Sequence, residues 1–166
     1  DFDNANLTCT TGIEHMTSSP TFFAERMAQL AKTHANHPAL IDRHEPTTYA
    51  QLNQQVGQLA GNFAKLGIQP HERVAIWLPN CLAWVQAFLA CAHLGATVLA
   101  VNTRFRSKEV ADIIERGKAD WLIMWPDFKG IAFADILADV DQTVLNRLRG
   151  VITLGDTNSA ATQAIA

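Results

Sequence analysis

The stretch from residue 73 to residue 105 constrains the fold of this chain more than any other. It contains an apolar strand pattern at 74–78, an almost wholly apolar helix pattern at 82–94, and a second apolar strand pattern after Gly95. Continuous apolar strands suit a parallel sheet covered on both faces, and a helix between two such strands is the crossover of a right-handed βαβ unit. A helix that is apolar on all sides is expected to be buried on all sides. It is too short to cross a bilayer, which needs about 20 apolar residues, so we expect the chain to be an incomplete part of a larger protein.

The same alternation of strand and helix patterns continues on both sides of this stretch. Ser107 is expected to cap a further helix, which Gly117 stops. The other expected elements are strands at 39–41, 47–49, 121–125 and 151–154, and helices at 21–33, 131–138 and 143–148. Together they predict an α/β fold with three layers, a mainly parallel sheet with flanking helices, and a small N-terminal hairpin.

The helix pattern that follows the hairpin carries signals at both of its ends. Thr48 is expected to be the N-cap, and Gln51 three residues later completes a capping box. Gly67 suits the C-terminal end because glycine adopts the left-handed backbone conformation readily. Gly57 and Gly61 lie one turn apart inside this helix. Since glycine costs stability there, the sequence predicts a close approach by a neighbouring backbone segment.

Composition and charge exclude several classes of protein. A net charge of -3 gives no general attraction for nucleic acid or acidic membranes, so no nucleic-acid partner is predicted. The three cysteines form no CxxC pair, and His34 and His37 have no third ligand nearby, so no metal site is predicted. No transmembrane or secretory pattern is visible, and the cysteine usage favours a reducing, cytoplasmic location.

Several blocks of the sequence resemble a known family. They are Arg-Val-Ala-Ile-x-Leu-Pro-Asn at 73–80, Leu-Gly-Ala at 94–96 and Val-Asn-Thr-Arg-Phe at 101–105, with Thr-Tyr-Ala-Gln-Leu and Leu-Gly-Ile before them and Ser-Lys-Glu-Val after them. In this order and spacing they are similar to the N-terminal region of AMP-forming acyl-CoA synthetases, which belong to the adenylate-forming ligase superfamily. The resemblance covers roughly residues 20–155. The Asn-Thr-Arg-Phe-Arg segment is more similar to fatty-acyl or aryl-acid CoA ligases than to the adenylation domains of peptide synthetases.

The resemblance implies a parent enzyme that converts a carboxylic acid, Mg-ATP and CoA into an acyl-CoA, AMP and pyrophosphate. ATP, Mg and CoA are therefore the expected cofactors of the parent. This family holds the ATP phosphates with a loop of the type Ser-Gly-Thr-Thr-Gly-x-Pro-Lys-Gly, and no such loop occurs here. Gly150 and Gly155 have the spacing of Walker A glycines, but Asp156 stands where that motif needs lysine. No catalytic residue is assigned, and the fragment alone is expected to be inactive and to bind none of the cofactors tightly.

The candidate binding residues lie at 102–108, just past an apolar strand and at the start of a helix. This is where α/β sheets usually bind anionic ligands. Arg104, Arg106 and Lys108 concentrate positive charge there, and guanidinium groups match phosphate oxygens in bidentate fashion. The resemblance implies a contact with a phosphate of CoA. The alternative is a solvated charged loop in which Ser107 only caps the helix. Asn80 is expected to cap the apolar helix predicted at 82–94 rather than to contact substrate.

The expected domain division places a tag or disordered leader at 1–15, the N-terminal subdomain of an adenylate-forming ligase at 16–156, and a linker or truncated end at 157–166. A rival interpretation is a stand-alone, non-catalytic α/β binding or interaction module, which would be a cooperative monomer. A second rival is an adenylating enzyme of the luciferase or peptide-synthetase type. The fragment interpretation instead predicts an exposed interior surface or sheet edge, through which the chain associates with itself.

Overall fold

The computed structural model describes residues 23–154 and 162–165. The helices are α1 Phe23–Thr33, α2 Tyr49–Leu66, α3 Leu82–Leu94, α4 Ser107–Gly117, α5 Phe133–Ala138 and α6 Gln142–Leu145. The strands are β1 Pro38–Asp42, β2 Glu45–Thr48, β3 Arg73–Trp77, β4 Thr97–Ala100, β5 Trp121–Met124, β6 Asp127–Phe128, β7 Ile131–Ala132, β8 Gly150–Leu154 and β9 Thr162–Ile165.

The principal sheet has five strands in the order β4-β3-β5-β8-β9. Its first four strands are parallel, and β9 pairs with β8 in the antiparallel direction. Helices α2 and α3 cover one face, and α4, α5 and α6 cover the other. The hairpin of β1 and β2 stands apart from this sheet. The three-layer α/β architecture and its mainly parallel sheet are therefore as the sequence predicted.

Two apolar clusters fill the space between the layers. Because alternate residues of a strand face opposite sides, Val74 and Ile76 point to the cluster on the α3 side, whereas Ala75 and Trp77 point to the cluster on the α4 side. Each large apolar side chain that is fully buried in these clusters contributes about 1.5–3 kcal/mol. On the α4 side, the rings of Trp77 and Phe133 lie 4.7 Å apart.

Helix α3 packs against the sheet with small side chains, buries Leu89 against α2, and leaves its aromatic side chains half-buried. The buried side chains include Ala83, Ala87, Ala90 and Cys91, which let the helix lie close to the strands. Trp84 and Phe88 stack with ring centroids 5.5 Å apart, and both remain half-buried. The described part of the chain therefore does not cover α3 on all of its sides.

A backbone N–H at the N-terminus of α3 is hydrogen-bonded by a residue distant in sequence rather than by the residue that precedes the helix. Asn80 was the predicted cap, but the N-cap position is Cys81, whose side chain makes no capping bond. The backbone N–H of Leu82 instead donates to Oδ2 of Asp42 at 3.0 Å. Since Asp42 ends β1, this bond joins the hairpin to the first turn of α3. The prediction for Asn80 was wrong because an acceptor from another element occupies the site.

The caps of α2 are as predicted. Thr48 accepts a hydrogen bond from the backbone N–H of Gln51, and the Gln51 side chain accepts one from the backbone N–H of Thr48. Gly67 ends the helix with a φ of 107°, in the left-handed region. The prediction for Gly57 and Gly61 was wrong, because a Cβ at either position would meet no atom of the described residues within 4 Å. Both glycines lie on the exposed face of the helix.

The starts of three parallel strands meet around the ring of Trp121. The indole Nε1–H donates to Oε2 of Glu72 at 2.8 Å, and the backbone N–H of Gln69 donates to the same oxygen at 2.8 Å. Arg149 forms an ion pair with Glu72 and lies over the Trp121 ring at 5.5 Å. A Cβ on Gly150 would lie 2.7 Å from the ring, so only glycine leaves room for it.

Some boundaries differ from the sequence expectation. The β1–β2 turn consists of Arg43 and His44, both with positive φ, so β2 begins earlier than predicted. The short β6–β7 hairpin was not predicted, because two-residue strands carry no periodicity. Strand β9 lies within the stretch expected to be a linker, 157–166, and the rest of that stretch is outside the described residues, as is the leader 1–15. The domain division stays a prediction.

Replacing Gly57 or Gly61 by alanine is expected to raise the free energy of unfolding by about 0.5–1 kcal/mol at each position, because alanine loses less backbone entropy in a helix. Urea denaturation monitored by circular dichroism measures this change. Gly67→Ala is the contrasting variant, and it should lower stability because of its positive φ. A loss of stability in G57A or G61A would show that something packs on this face in solution.

Replacing Glu72 by glutamine is expected to lower the free energy of unfolding by about 1–3 kcal/mol, because the charge that Arg149 and the two N–H donors share is removed. The same urea titration measures it, with Glu115→Gln as the control, since Glu115 is exposed on α4. Equal midpoints for E72Q and E115Q would contradict the role assigned to Glu72.

Candidate functional site

The segment between β4 and α4 carries the predicted binding residues and is held in place by Asn102. The side-chain Oδ1 of Asn102 accepts the backbone N–H of Arg104 at 2.9 Å, and its carbonyl oxygen accepts the N–H of Phe105 at 3.0 Å. The buried indole of Trp77 donates to the same carbonyl at 3.2 Å. The loop is therefore tied to the core at its first residue.

The three predicted cations lie on this loop and on the first turn of α4. Arg104, Arg106 and Lys108 are exposed, whereas the residues between them are half-buried, and Phe105 packs against the cluster on the α4 side. Among the described residues, no carboxylate forms an ion pair with any of the three. The structure thus places all three on the exposed side of one short segment, at the C-terminal edge of the sheet.

The start of α4 is occupied by a carboxylate of its own. Oε2 of Glu109 accepts the backbone N–H of Arg106 at 3.0 Å, and this bond holds the pKa of Glu109 below its usual value. Ser107, the predicted cap, is instead the first residue of the helix. An anion that approaches this segment would therefore meet side-chain cations and would compete with Glu109 for the helix N-terminus.

A groove of 360 Å³ lies between the β1–β2 hairpin and the N-terminus of α3. The apolar side chains that line it are Leu40, Ile41, Leu82, Trp84 and Val85. Asp42, Asn80 and Cys81 provide its polar positions. Sequence reasoning did not find this groove, because hairpin and helix are far apart along the chain. Ile41, which borders the groove, is a large apolar side chain that the described residues leave exposed.

The described thiols are unsuited to nucleophilic chemistry. Burial raises the pKa of Cys91 to about 12. Burial also raises the pKa of Cys81, against the opposing effect of the backbone N–H groups of Trp84 and Ala83. Since the thiolate is the nucleophile, a raised pKa lowers the reactive fraction of each thiol near neutral pH.

Trp125 follows β5 at the same edge of the sheet as Asn102. Its side chain is buried, and its indole Nε1–H has no hydrogen-bond partner within the described part of the chain. An unsatisfied buried donor costs about 1–3 kcal/mol. The ring lies 5.6 Å from that of Phe128, over which Lys129 extends its ammonium group. Sequence reasoning assigned Trp125 to the core and could not foresee the unpaired donor.

The remaining sequence candidates have ordinary surroundings. The rings of His34 and His37 lie 5.4 Å apart, and within residues 23–154 no group of three potential metal ligands gathers. Gly150 and the four residues after it form β8, and the second glycine of the Walker-like spacing, Gly155, lies outside the described residues. None of the described helices combines the length and apolar character that crossing a membrane requires.

Comparison with known proteins matches this chain to a family. The profile of the AMP-binding enzymes matches residues 11–164. The 3-[(3aS,4S,7aS)-7a-methyl-1,5-dioxo-octahydro-1H-inden-4-yl]propanoyl:CoA ligase of Mycobacterium tuberculosis is 38% identical over 124 residues, which are 75% of this chain and 24% of that protein. The ligase of the same name from Rhodococcus jostii is 32% identical over 69% of this chain and 22% of its own length.

Solved structures share the fold. An anthranilate CoA ligase in complex with anthranoyl-AMP superposes with a TM-score of 0.69 at 21% identity, over 80% of this chain and 25% of that one. A protein described as a long-chain-fatty-acid CoA ligase, from Rhodopseudomonas palustris, gives a TM-score of 0.66 at 21% identity, over 82% of this chain and 33% of that one. The chain thus spans about a quarter of the length of the curated relatives it matches. On this evidence, the chain belongs to the family of AMP-binding enzymes.

Proposed function

We propose that this chain is the N-terminal part of an AMP-forming ligase that joins a carboxylic acid to CoA. The observation that carries the proposal is the 38% identity to a CoA ligase over three quarters of the chain. Mg-ATP, CoA and the acid are the substrates of this reaction. We place it in the cytoplasm, because the cysteine usage suits a reducing compartment.

The reaction that we propose follows from the electrophilicity of the acid. A carboxylate is a poor electrophile, so its oxygen attacks the α-phosphorus of ATP and displaces pyrophosphate. The acyl-adenylate then carries AMP as its leaving group. The thiol of CoA attacks the acyl carbon, and AMP departs as the thioester forms. The acid would carry an apolar body, either a fatty or aryl group or a carbocyclic one like that in the names of the two relatives.

Within this reaction we assign the 102–108 segment to a phosphate of CoA. The supporting observations are the exposure of Arg104, Arg106 and Lys108 and the absence of an ion-pair partner for them among the described residues. A guanidinium group that binds phosphate typically contributes about 1.5–3 kcal/mol. Because Glu109 already occupies the helix N-terminus, the contact would be made by side chains.

The described residues would otherwise serve as scaffold and as one wall near the acyl site. The sequence contains no loop of the Ser-Gly-Thr-Thr-Gly type, which this family uses to hold the ATP phosphates. We therefore propose that the 166-residue chain alone does not form an adenylate.

In the parent enzyme, Arg104→Ala is expected to raise the KM for CoA by about tenfold or more, since a phosphate contact is lost. Acid-dependent exchange of pyrophosphate into ATP should stay unchanged, because that half-reaction precedes CoA. The KM for CoA and the pyrophosphate exchange are both measured with a panel of fatty, aryl and carbocyclic acids. Arg116→Ala is the matched control, since Arg116 is an exposed arginine in the last turn of α4, and among the described residues its ion pair is with the exposed Asp112.

The two parts of the proposal fail in distinguishable ways. Absence of exchange with every acid would contradict the ligase function itself and would favour a non-catalytic binding module. Exchange with an unchanged KM for CoA in R104A would contradict only the phosphate assignment and leave the cations as a solvated surface.

A further inference from the structure

Residues 102–105 form a tight turn that is closed by two hydrogen bonds to Asn102. Its side-chain Oδ1 accepts the backbone N–H of Arg104 at 2.9 Å, and its carbonyl oxygen accepts the N–H of Phe105 at 3.0 Å. Neither Thr103 nor Arg104 has a positive φ, as in a type I turn. Asparagine is favoured at the first position of such a turn, because its side chain accepts the N–H two residues later. The side chain of Asn102 therefore holds the backbone of Arg104.

The other attachments of this loop do not involve the Asn102 side chain. The Trp77 indole donates to the backbone carbonyl of Asn102 at 3.2 Å, and Phe105 packs against the cluster on the α4 side. The first turn of α4 has its own capping carboxylate, that of Glu109. Replacing the Asn102 side chain leaves these attachments in place. The bond to the Arg104 N–H is then the part of the loop that this side chain determines.

Both residues of this bond lie at the surface. Asn102 and Arg104 are exposed, whereas Thr103 between them is half-buried. Removing a side-chain oxygen here leaves no cavity in the core. A long side chain such as arginine loses conformational freedom when it binds a ligand, and holding its backbone beforehand reduces that loss. A bond of this kind thus has a larger effect on what Arg104 binds than on the packing of the fold.

We propose that Asn102 is a positioning residue for CoA that acts through Arg104. This inference rests on the proposed function, in which Arg104 contacts a phosphate of CoA. Oδ1 of Asn102 fixes the point on the backbone from which the guanidinium group extends, so that the phosphate meets a preorganised cation. Asn102 itself does not contact CoA in this assignment and takes no part in the transfer of the acyl group.

Steady-state kinetics of the parent enzyme test the proposal. Asn102→Ala is expected to raise the KM for CoA about two- to tenfold, the factor that corresponds to one hydrogen bond of ordinary strength. The kcat at saturating CoA and the acid-dependent pyrophosphate exchange should be unchanged, because only binding of CoA is affected. Asn102→Ser should give an intermediate KM, since a serine hydroxyl accepts the same N–H more weakly. Asn62→Ala is the matched control, because Asn62 is an exposed asparagine on α2.

A double-mutant cycle separates positioning from a general structural effect. If Asn102 acts through Arg104, N102A raises the KM for CoA in the unmodified enzyme but has no further effect in the Arg104→Ala background. A structural disturbance of the loop would raise the KM by the same factor in both backgrounds. The cycle therefore reports whether the two residues act as one unit.

Two results would overturn the positioning role while leaving the phosphate contact in place. The first is an unchanged KM in N102A when R104A raises it, and the second is an equal effect of N102A with and without Arg104. An unchanged KM in R104A would remove the phosphate contact and the positioning role with it. Absence of pyrophosphate exchange with every acid would contradict the ligase function on which both depend.

Discussion

The hydrogen bond from the Trp121 indole to Glu72 joins the starts of two parallel strands of the sheet, β3 and β5. Glu72 also accepts the backbone N–H that follows α2 and pairs with Arg149, so one carboxylate joins the entries of β3, β5 and β8. If one partner of a part-buried charged group is removed, the charge or donor that remains loses its compensating interaction. Gly150 completes the arrangement by leaving space for the ring. These contacts lie at the N-terminal ends of the strands. The opposite edge, which holds Asn102 and the cations, takes no part in these contacts.

Features that depend on a few neighbouring residues could be predicted from the sequence, and features that depend on tertiary contact could not. The capping box at Thr48 and the left-handed glycine at Gly67 are local and were confirmed. The bounds of α3 follow from its uninterrupted apolar pattern between a turn and a Leu-Gly break. The caps expected at Asn80 and Ser107 were wrong, because carboxylates of Asp42 and Glu109 take those positions. For Asp42 the sequence offers no signal, since the bond crosses forty residues.

The same distinction applies to the candidate site. The exposure of Arg104, Arg106 and Lys108 could be expected, because charged residues alternate there with residues that pack inward. The anchoring of the loop by Trp77 could not, because the indole comes from a strand twenty-five residues earlier. The contact of these cations with a CoA phosphate stays a prediction. The groove beside the hairpin also needed the structure, since its two walls are joined only by tertiary packing.

The bond between Asp42 and Leu82 has a consequence for the order in which the chain can acquire its structure. The first turn of α3 keeps an unsatisfied N–H until the end of the hairpin arrives, so the helix and the hairpin gain protection from hydrogen exchange together. Fraying of the hairpin therefore opens the N-terminal turn of a helix that is otherwise embedded against the sheet. This carboxylate, together with the packing of Ala39 and Leu40 against the apolar cluster that contains Leu89, couples a two-stranded surface element to the helix.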